Sequence, residues 1–545
     1  MRLLNTATLK LEEFFGSDIP EYAILSHTWE DEEVSFQEVE LPSATTKKGF
    51  LKTRGVCKEA LKRRYTYVWV DTCCIDKKSS AELTESINSM FQWYQDAKEC
   101  FVYLSDLKSG PNVSERLKNC RWFTRGWTLQ ELIAPRRVRF YDGNWDYVGS
   151  KHRYATEISS ITNIGRELLL GTKEPAHYSI ATRMSWAAHR QATRIEDRAY
   201  CLLGLFDVNM PMLYGEGMRA FGRLQEEIIK RSNDMTIFAW TQPEGQPEVV
   251  SGALFAPSPA CFAQSGDIYG FDRQFSDLEF ALTNKGLRID KCVHFFEVIS
   301  HPNGNKSHAT GFAMFIGYSK TTGPSPKYSD ILLNLWKVGP NSFLRESISG
   351  PMENCKHVST PILSFYITAN THDFLWIKHA KMNSAVKFPV SETIEVRNTI
   401  PHSHWDHARQ LFFAPTESRD LVLAASVKIA LAAQIEAQII ICFDFTASEF
   451  GLRKLDAPRC LIFNERVHAA VSRWLFRHKR LGYNGHDATW SDVLEEMKEI
   501  FGFSERLRLS VGESNFIVQA SVTSGAIESI SAKPIYSVEL VVEEG

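Results

Sequence analysis

The stretch YVWVDTCCIDKKSSAELTESINSMFQWYQDAKECFVYLSDL, residues 67–107, decides the fold. It opens with an apolar, aromatic and β-branched run that stops at Asp71, the pattern of a short buried strand. Ser79 then offers an N-cap with Glu82 three residues on, and Leu83, Ile87, Met90 and Phe91 follow at helical spacing. ECFVYLSDL begins a further strand. A strand, a helix and a strand joined by short links form the unit of a parallel sheet, because a parallel crossover needs a helix-length connection.

The same alternation continues on both sides. YAILSHTW (22–29) is an apolar run ending in polar residues, and GFLKTRGVCKEALKRRY (49–65) carries Val56, Ala60 and Leu61 at helical spacing. CRWFTRGWTLQELIAP (120–135) reads as one helix, capped by Thr124 and stopped by Pro135, and RRVRFYD (136–142) as the next strand. This gives an α/β domain over residues 1–150. EISSITNIGRELLLG and MRAFGRLQEEIIKRS predict a helical extension over 151–235, packed on the sheet. From 236 to 545 short β-branched and aromatic runs, split by Gly, Pro, Asn and Ser, predict a β-rich sandwich or barrel with one late helix, WSDVLEEMKEIF (490–501).

Composition narrows the function classes. With 545 residues, 44% apolar and 23% charged, the chain is long enough for several cores. A net charge of -3 gives no global basic field, so nucleic acid is not the expected partner. The longest apolar tract, residues 421–445, is broken by Lys428, Gln434, Glu436 and Gln438, so it is read as strand or buried helix and not as a membrane span. The amino terminus lacks the apolar core of a signal peptide, and eleven cysteines without a CxxC pair point to reduced thiols in the cytoplasm.

Several residues carry candidate chemistry. Trp127 and Glu131, four apart on a predicted helix, share one face. Cys73 or Cys74 with His27 as base would make a thiol hydrolase, although free cysteines are mostly small buried hydrophobes. His402, His404, Asp406 and His407 have the HxHxDH spacing of a zinc pair, but no long buried strand leads into them, so a solvated loop without metal is expected. YGEGMRAFG (214–222) reads as a turn before a helix, and EDRAYCLLG, with Glu196, Asp197 and Arg198, as structural.

YAILSHTW, WVDTCCIDKKSSAELTESINSMFQWYQDA and RGWTLQELIAP resemble the three blocks of the fungal heterokaryon incompatibility (HET) domain. RMSWAAHRQATRIEDRAYCLLGLFDVNMPMLYGEGMRAFGRLQEEI and NDMTIFAW look like the extension that follows it in vegetative incompatibility proteins. The resemblance implies nonself recognition between fungal cells, a form of fungal innate immunity ending in programmed cell death. The HET domain is distantly similar to the TIR domain, which implies a flavodoxin-like parallel sheet of order 2-1-3-4-5. Residues 127–132, WTLQEL, are similar to the TIR tract W-C-x-x-E-L, whose glutamate cleaves NAD. That implies Glu131 as catalytic residue and NAD+ as substrate, with no cofactor. In that sheet order ligands bind outside the carboxyl ends of the first and third strands. The rim would carry Ser26, His27, Ser105 and Asp106, with Trp29, Asp71 and Trp127 as further substrate contacts. The rival expectation is a non-enzymatic adaptor: the α/β domain signals by self-association, and the β-rich half recognises a protein partner.

Overall fold

The computed structural model describes residues 1–243 except 109 and 111, then 253–270, and beyond those mainly strands between 279 and 544. Tyr22–His27 is buried at every position, as expected of a strand covered on both faces. It is strand β3 of a seven-stranded sheet. The others are β1 (Arg2–Asn5), β2 (Leu11–Glu13), β4 (Tyr67–Trp69), β5 (Glu99–Tyr103), β6 (Val138–Tyr141) and β7 (Tyr147–Ser150), in the order β2-β1-β4-β3-β5-β6-β7. The inner four, β4-β3-β5-β6, are parallel. The edges are antiparallel: a hairpin of β1 and β2 on β4, and β7 on β6. Neither edge is among the strands expected from the sequence, YAILSHTW, YVWVD, ECFVYLSDL and RRVRFYD.

Helices α1 (Phe50–Lys62) and α2 (Ser80–Asp96) form where the apolar spacing places them. Ser79 caps α2 by accepting from the Glu82 N–H at 3.3 Å, while the Glu82 carboxylate accepts from the Asp76 N–H at 2.8 Å. Trp69 of β4 meets Trp93 and Tyr94 of α2 edge-on at 5.5 and 5.9 Å, fixing that helix to the sheet. After β5 comes a short helix α3 (Val113–Leu117).

The single helix expected over 120–134 is two pieces: a 3-10 turn, Arg121–Thr124, and α4, Thr128–Ile133. The cause is tertiary. The Gly126 N–H donates to the Gln191 carbonyl at 2.8 Å and the Gln191 N–H to the Thr124 carbonyl at 2.7 Å, so these backbone groups leave the helical ladder for a β-bridge with the extension. Nor is Thr124 a cap, since its hydroxyl donates to the Arg121 carbonyl at 2.8 Å.

The extension packs through helices such as Arg219–Ile229, whose Phe221, Leu224, Ile228 and Ile229 are buried as the spacing requires. Gly204 lies so close to α2 that an added Cβ would sit 2.1 Å from the Phe91 Cβ. Gly204→Ala is therefore expected to cost about 1–3 kcal/mol, as overpacked sites do, read as a lower urea midpoint. An unchanged midpoint would show that the extension yields freely there.

The β-rich region divides between two cores. Leu287, Phe312, Phe343 and Phe365 belong to the same buried cluster as the α/β sheet and the extension. Val386, Trp405, Val427, Ile441 and Val518 form a second cluster. The 421–445 tract is a hairpin of strands Asp420–Ala432 and Ile435–Thr446. Trp405–Asp406 is a buried strand pair with Leu411 and Phe412, so that part of the HxHxDH tract is not a solvated loop, because Trp405 is core. His402, His404 and His407, like the helix expected over 490–501, lie outside the described residues. Among the described residues no His, Cys, Asp and Glu group could hold a metal, and no helix is long and apolar enough to cross a membrane.

Candidate active site

The carboxyl ends of β3 and β4 deliver Ser26, His27 and Asp71 to one edge of the sheet, and α4 lays Glu131 against them. The Ser26 Oγ donates to Glu131 Oε2 at 2.5 Å and accepts from the Trp122 indole N–H at 2.8 Å. A hydroxyl has one proton and two lone pairs, so Ser26 accepts from the buried indole and keeps its proton for Glu131. Glu131 itself is buried. Burial pushes its carboxyl up to about 8, and the negative charge of Asp71 pushes the same way, against hydrogen bonds from Ser26 and Tyr94 and the Arg190 charge.

His27 is buried between two acids, its Nδ1 3.8 Å from Asp71 Oδ1 and its Nε2 3.8 Å from Glu33 Oε2. Burial lowers its pKa despite the attraction of both. Among the described residues, His27 Nε2 and Asp71 Oδ1 are buried without a hydrogen-bond partner. Asp71 Oδ2 accepts from the Trp29 indole at 2.7 Å, and the Lys77 ammonium sits 3.5 Å from the centre of that ring. Trp29 is 51% exposed, so it serves as a rim and not as core.

His27, Trp29, Asp71 and Lys77 line a cavity of about 290 Å³. Trp127 and Glu131 both reach it, the indole as a half-buried wall. The extension closes the other side. Tyr214 donates to Asp197 at 3.0 Å, the Trp127 indole bonds Asp197 too, and burial raises the Asp197 pKa. Behind α4, Arg190 Nη1 donates to the Arg125 carbonyl at 2.9 Å and to Thr128 Oγ1 at 3.0 Å, holding the helix start.

The residues expected at the site are only partly brought together. Ser26, His27, Trp29, Asp71, Trp127 and Glu131 converge on the cavity or its floor. Asp106 does not: its Oδ2 accepts from the Arg121 N–H at 2.8 Å, capping the 121–124 turn, and pairs with the Arg121 side chain. Ser105 is likewise committed, to Glu30 at 2.6 Å. Cys73 and Cys74 are buried thiols, that of Cys73 pushed well above its ordinary range, and His27 sits between carboxylates instead. Asp197 and Tyr214, expected to be structural and part of a turn, line the cavity instead, and Arg190 braces α4 behind it; no spacing in the sequence links any of the three to Glu131.

Residues 22–112 match the family model of the heterokaryon incompatibility protein (HET), and 219–276 that of a domain of unknown function, DUF8212. Residues 22–112 are thus similar to a HET domain. Ser26, His27, Trp29 and Asp71 fall inside the matched region, and Trp127 and Glu131 beyond its end. Over 245 residues, 43% of this chain, the sequence is 42% identical to the vegetative incompatibility protein HET-E-1 of Podospora anserina. That alignment covers 18% of the relative, so the chain spans less than a fifth of its length. No solved structure matches the chain.

Proposed function

We propose that this chain acts in heterokaryon (vegetative) incompatibility, where nonself recognition leads to programmed cell death, and that its HET domain contributes by hydrolysing NAD+ at Glu131. The observation that carries the reading is a buried carboxyl facing a cavity at the carboxyl edge of a parallel sheet, where β3 and β5 lie side by side. The parallel order β4-β3-β5-β6, 2-1-3-4 in chain order, supports the TIR-like comparison over four strands, while the fifth position of the expected 2-1-3-4-5 order is held by the antiparallel β7.

The chemistry is cleavage of the bond between the nicotinamide nitrogen and the ribose. The bonding pair leaves with the pyridinium, which departs as neutral nicotinamide, so no strong acid is needed. Positive charge moves to the ribose as an oxocarbenium-like state. The Glu131 carboxylate, held in place by Ser26, faces that charge from a buried position, where such stabilisation is strong. Water adds to the sugar carbon and loses a proton, giving ADP-ribose.

This role requires the ionised carboxyl. Since Glu131 is held up to about 8, kcat/KM is expected to rise with pH through that region and level off above it. Bound substrate carries a pyridinium cation that favours the carboxylate, so the kcat profile should rise at lower pH. A kcat/KM that falls between pH 7 and 9 would contradict the assignment. The cell-level test is expression of wild type beside Glu131→Ala and Glu131→Gln, following NAD+ loss and toxicity. If both variants keep full toxicity and wild type leaves NAD+ intact, the adaptor reading takes over, with self-association and a partner on the β-rich half.

A further inference from the structure

Three cations line the cavity with no carboxylate closed onto them: Lys77, Arg125 and Arg194. Among the described residues none of the three is in an ion pair, whereas nearby Lys47, Lys52 and Arg121 all are, with Glu38, Glu30 and Glu33 as partners. Lys77 feels the charge of Asp71, and Arg194 that of Asp197, without an ion pair, and the direct contacts of the three are aromatic or hydroxylic. Lys77 lies on Trp29 at 3.5 Å, Arg194 lies over Tyr214 at 4.4 Å, and Arg125 Nη2 donates to Thr193 Oγ1 at 3.0 Å. A guanidinium held by its face keeps its N–H edge available, the edge that grips phosphate in two-point fashion. Arg125 is also fixed at its backbone, since its carbonyl accepts from Arg190 and Thr128.

The acids of the cavity, Asp71, Glu131 and Asp197, suit ribose hydroxyls and a cationic base, and the cations suit an anion attached to that sugar. A volume of about 290 Å³ is at the small end of ligand sites, enough for one nucleotide half and not for a whole dinucleotide.

We propose that the cavity is a mononucleotide site in which Arg125, Arg194 and Lys77 recognise a phosphate on the ribose that carries the base. The placement of the ribose rests on the NAD-hydrolysis reading; the selection for phosphate does not. Nicotinamide mononucleotide and NAD+ are then both ligands, and nicotinamide riboside is a poor one.

Calorimetry on the full chain bearing Glu131→Gln, which slows any turnover, tests this with nicotinamide riboside, nicotinamide mononucleotide and NAD+ as titrants. The two phosphorylated ligands should bind at least about tenfold tighter than the riboside, a preference that shrinks with salt as phosphate contacts do. Arg125→Gln with Arg194→Gln should erase the preference and leave riboside affinity unchanged. Should that pair unfold the chain, Arg194→Gln with Lys77→Gln, both at exposed positions, should reduce the preference several-fold. Equal affinity for riboside and mononucleotide, a preference that survives these variants, or no binding of any titrant overturns the proposal. Phosphate preference without hydrolysis by wild type would sink only the NAD-hydrolysis reading; hydrolysis without phosphate preference would sink only this one.

Discussion

Glu131→Gln is expected to lower NAD+ hydrolysis by about 10²–10³-fold, the loss typical of removing one charge-stabilising group, while making the fold more stable at alkaline pH. The substitution keeps shape and leaves an oxygen to accept the Ser26 proton, so packing is not at issue. Only the charge goes. In the folded chain the carboxyl ionises near 8, against an ordinary value of 4.5. Between those values the folded state holds a proton that the unfolded state has released. Stability from this group is therefore complete below the ordinary value and is lost as pH rises through about 8. Glutamine does not titrate, so the melting-temperature difference, variant minus wild type, should grow across that window. A tenfold change in proton affinity is worth about 1.4 kcal/mol, which puts the ceiling at a few kcal/mol. A carboxyl kept for structure alone would give the opposite result, with the variant less stable at every pH. A flat difference would show that Glu131 is not buried in its neutral form, and retained hydrolysis would remove it from the chemistry.

That combination of activity loss and stability gain is what separates a working group from a structural one. Burying a carboxyl against Asp71 costs stability, and Ser26, Tyr94 and the Arg190 charge offset it in part. A chain under selection for stability alone would place glutamine or leucine there. On the proposed reaction, the pyridinium cation of bound substrate lowers the same pKa that burial raises.

How much of this is legible in the sequence depends on whether a residue is placed by its own strand or by a remote one. Ser26, His27 and Asp71 are readable because each ends an apolar run, and strand ends in parallel sheets face the ligand edge. Glu131 and Trp127 are readable from spacing plus resemblance. The break before α4 is not, because Gln191 makes it from the extension, and local pattern at 120–135 carries no trace of that partner. Trp127 has the composition of core and lies at a wall because Asp197 offers its indole a hydrogen bond. Asp106 has the composition of a strand-end ligand and is spent on a turn. In each case the deciding partner is far along the chain, and periodicity reports only on near neighbours.

Trp122 ties the fold to the site, and its truncation should be the most costly change to stability. Its side chain is fully buried, edge-on to Phe123 at 5.0 Å and to Phe140 at 5.9 Å. Trp122→Ala is expected to cost about 3–5 kcal/mol, the loss seen when a large buried aromatic leaves a cavity behind. Trp122→Phe keeps most of the packing and deletes the indole N–H that donates to Ser26. Loss of one buried hydrogen bond costs about 1 kcal/mol, so urea denaturation should rank the phenylalanine variant well above the alanine one. Hydrolysis should rank otherwise. Without the indole donor the Ser26 hydroxyl is free to rotate, and its proton is no longer directed at Glu131. Activity of Trp122→Phe should then fall by more than its small stability loss explains, with kcat/KM rising at a different pH. If it keeps wild-type hydrolysis and pH profile, the Trp122–Ser26–Glu131 chain is scaffolding for α4 and has no part in setting the carboxylate.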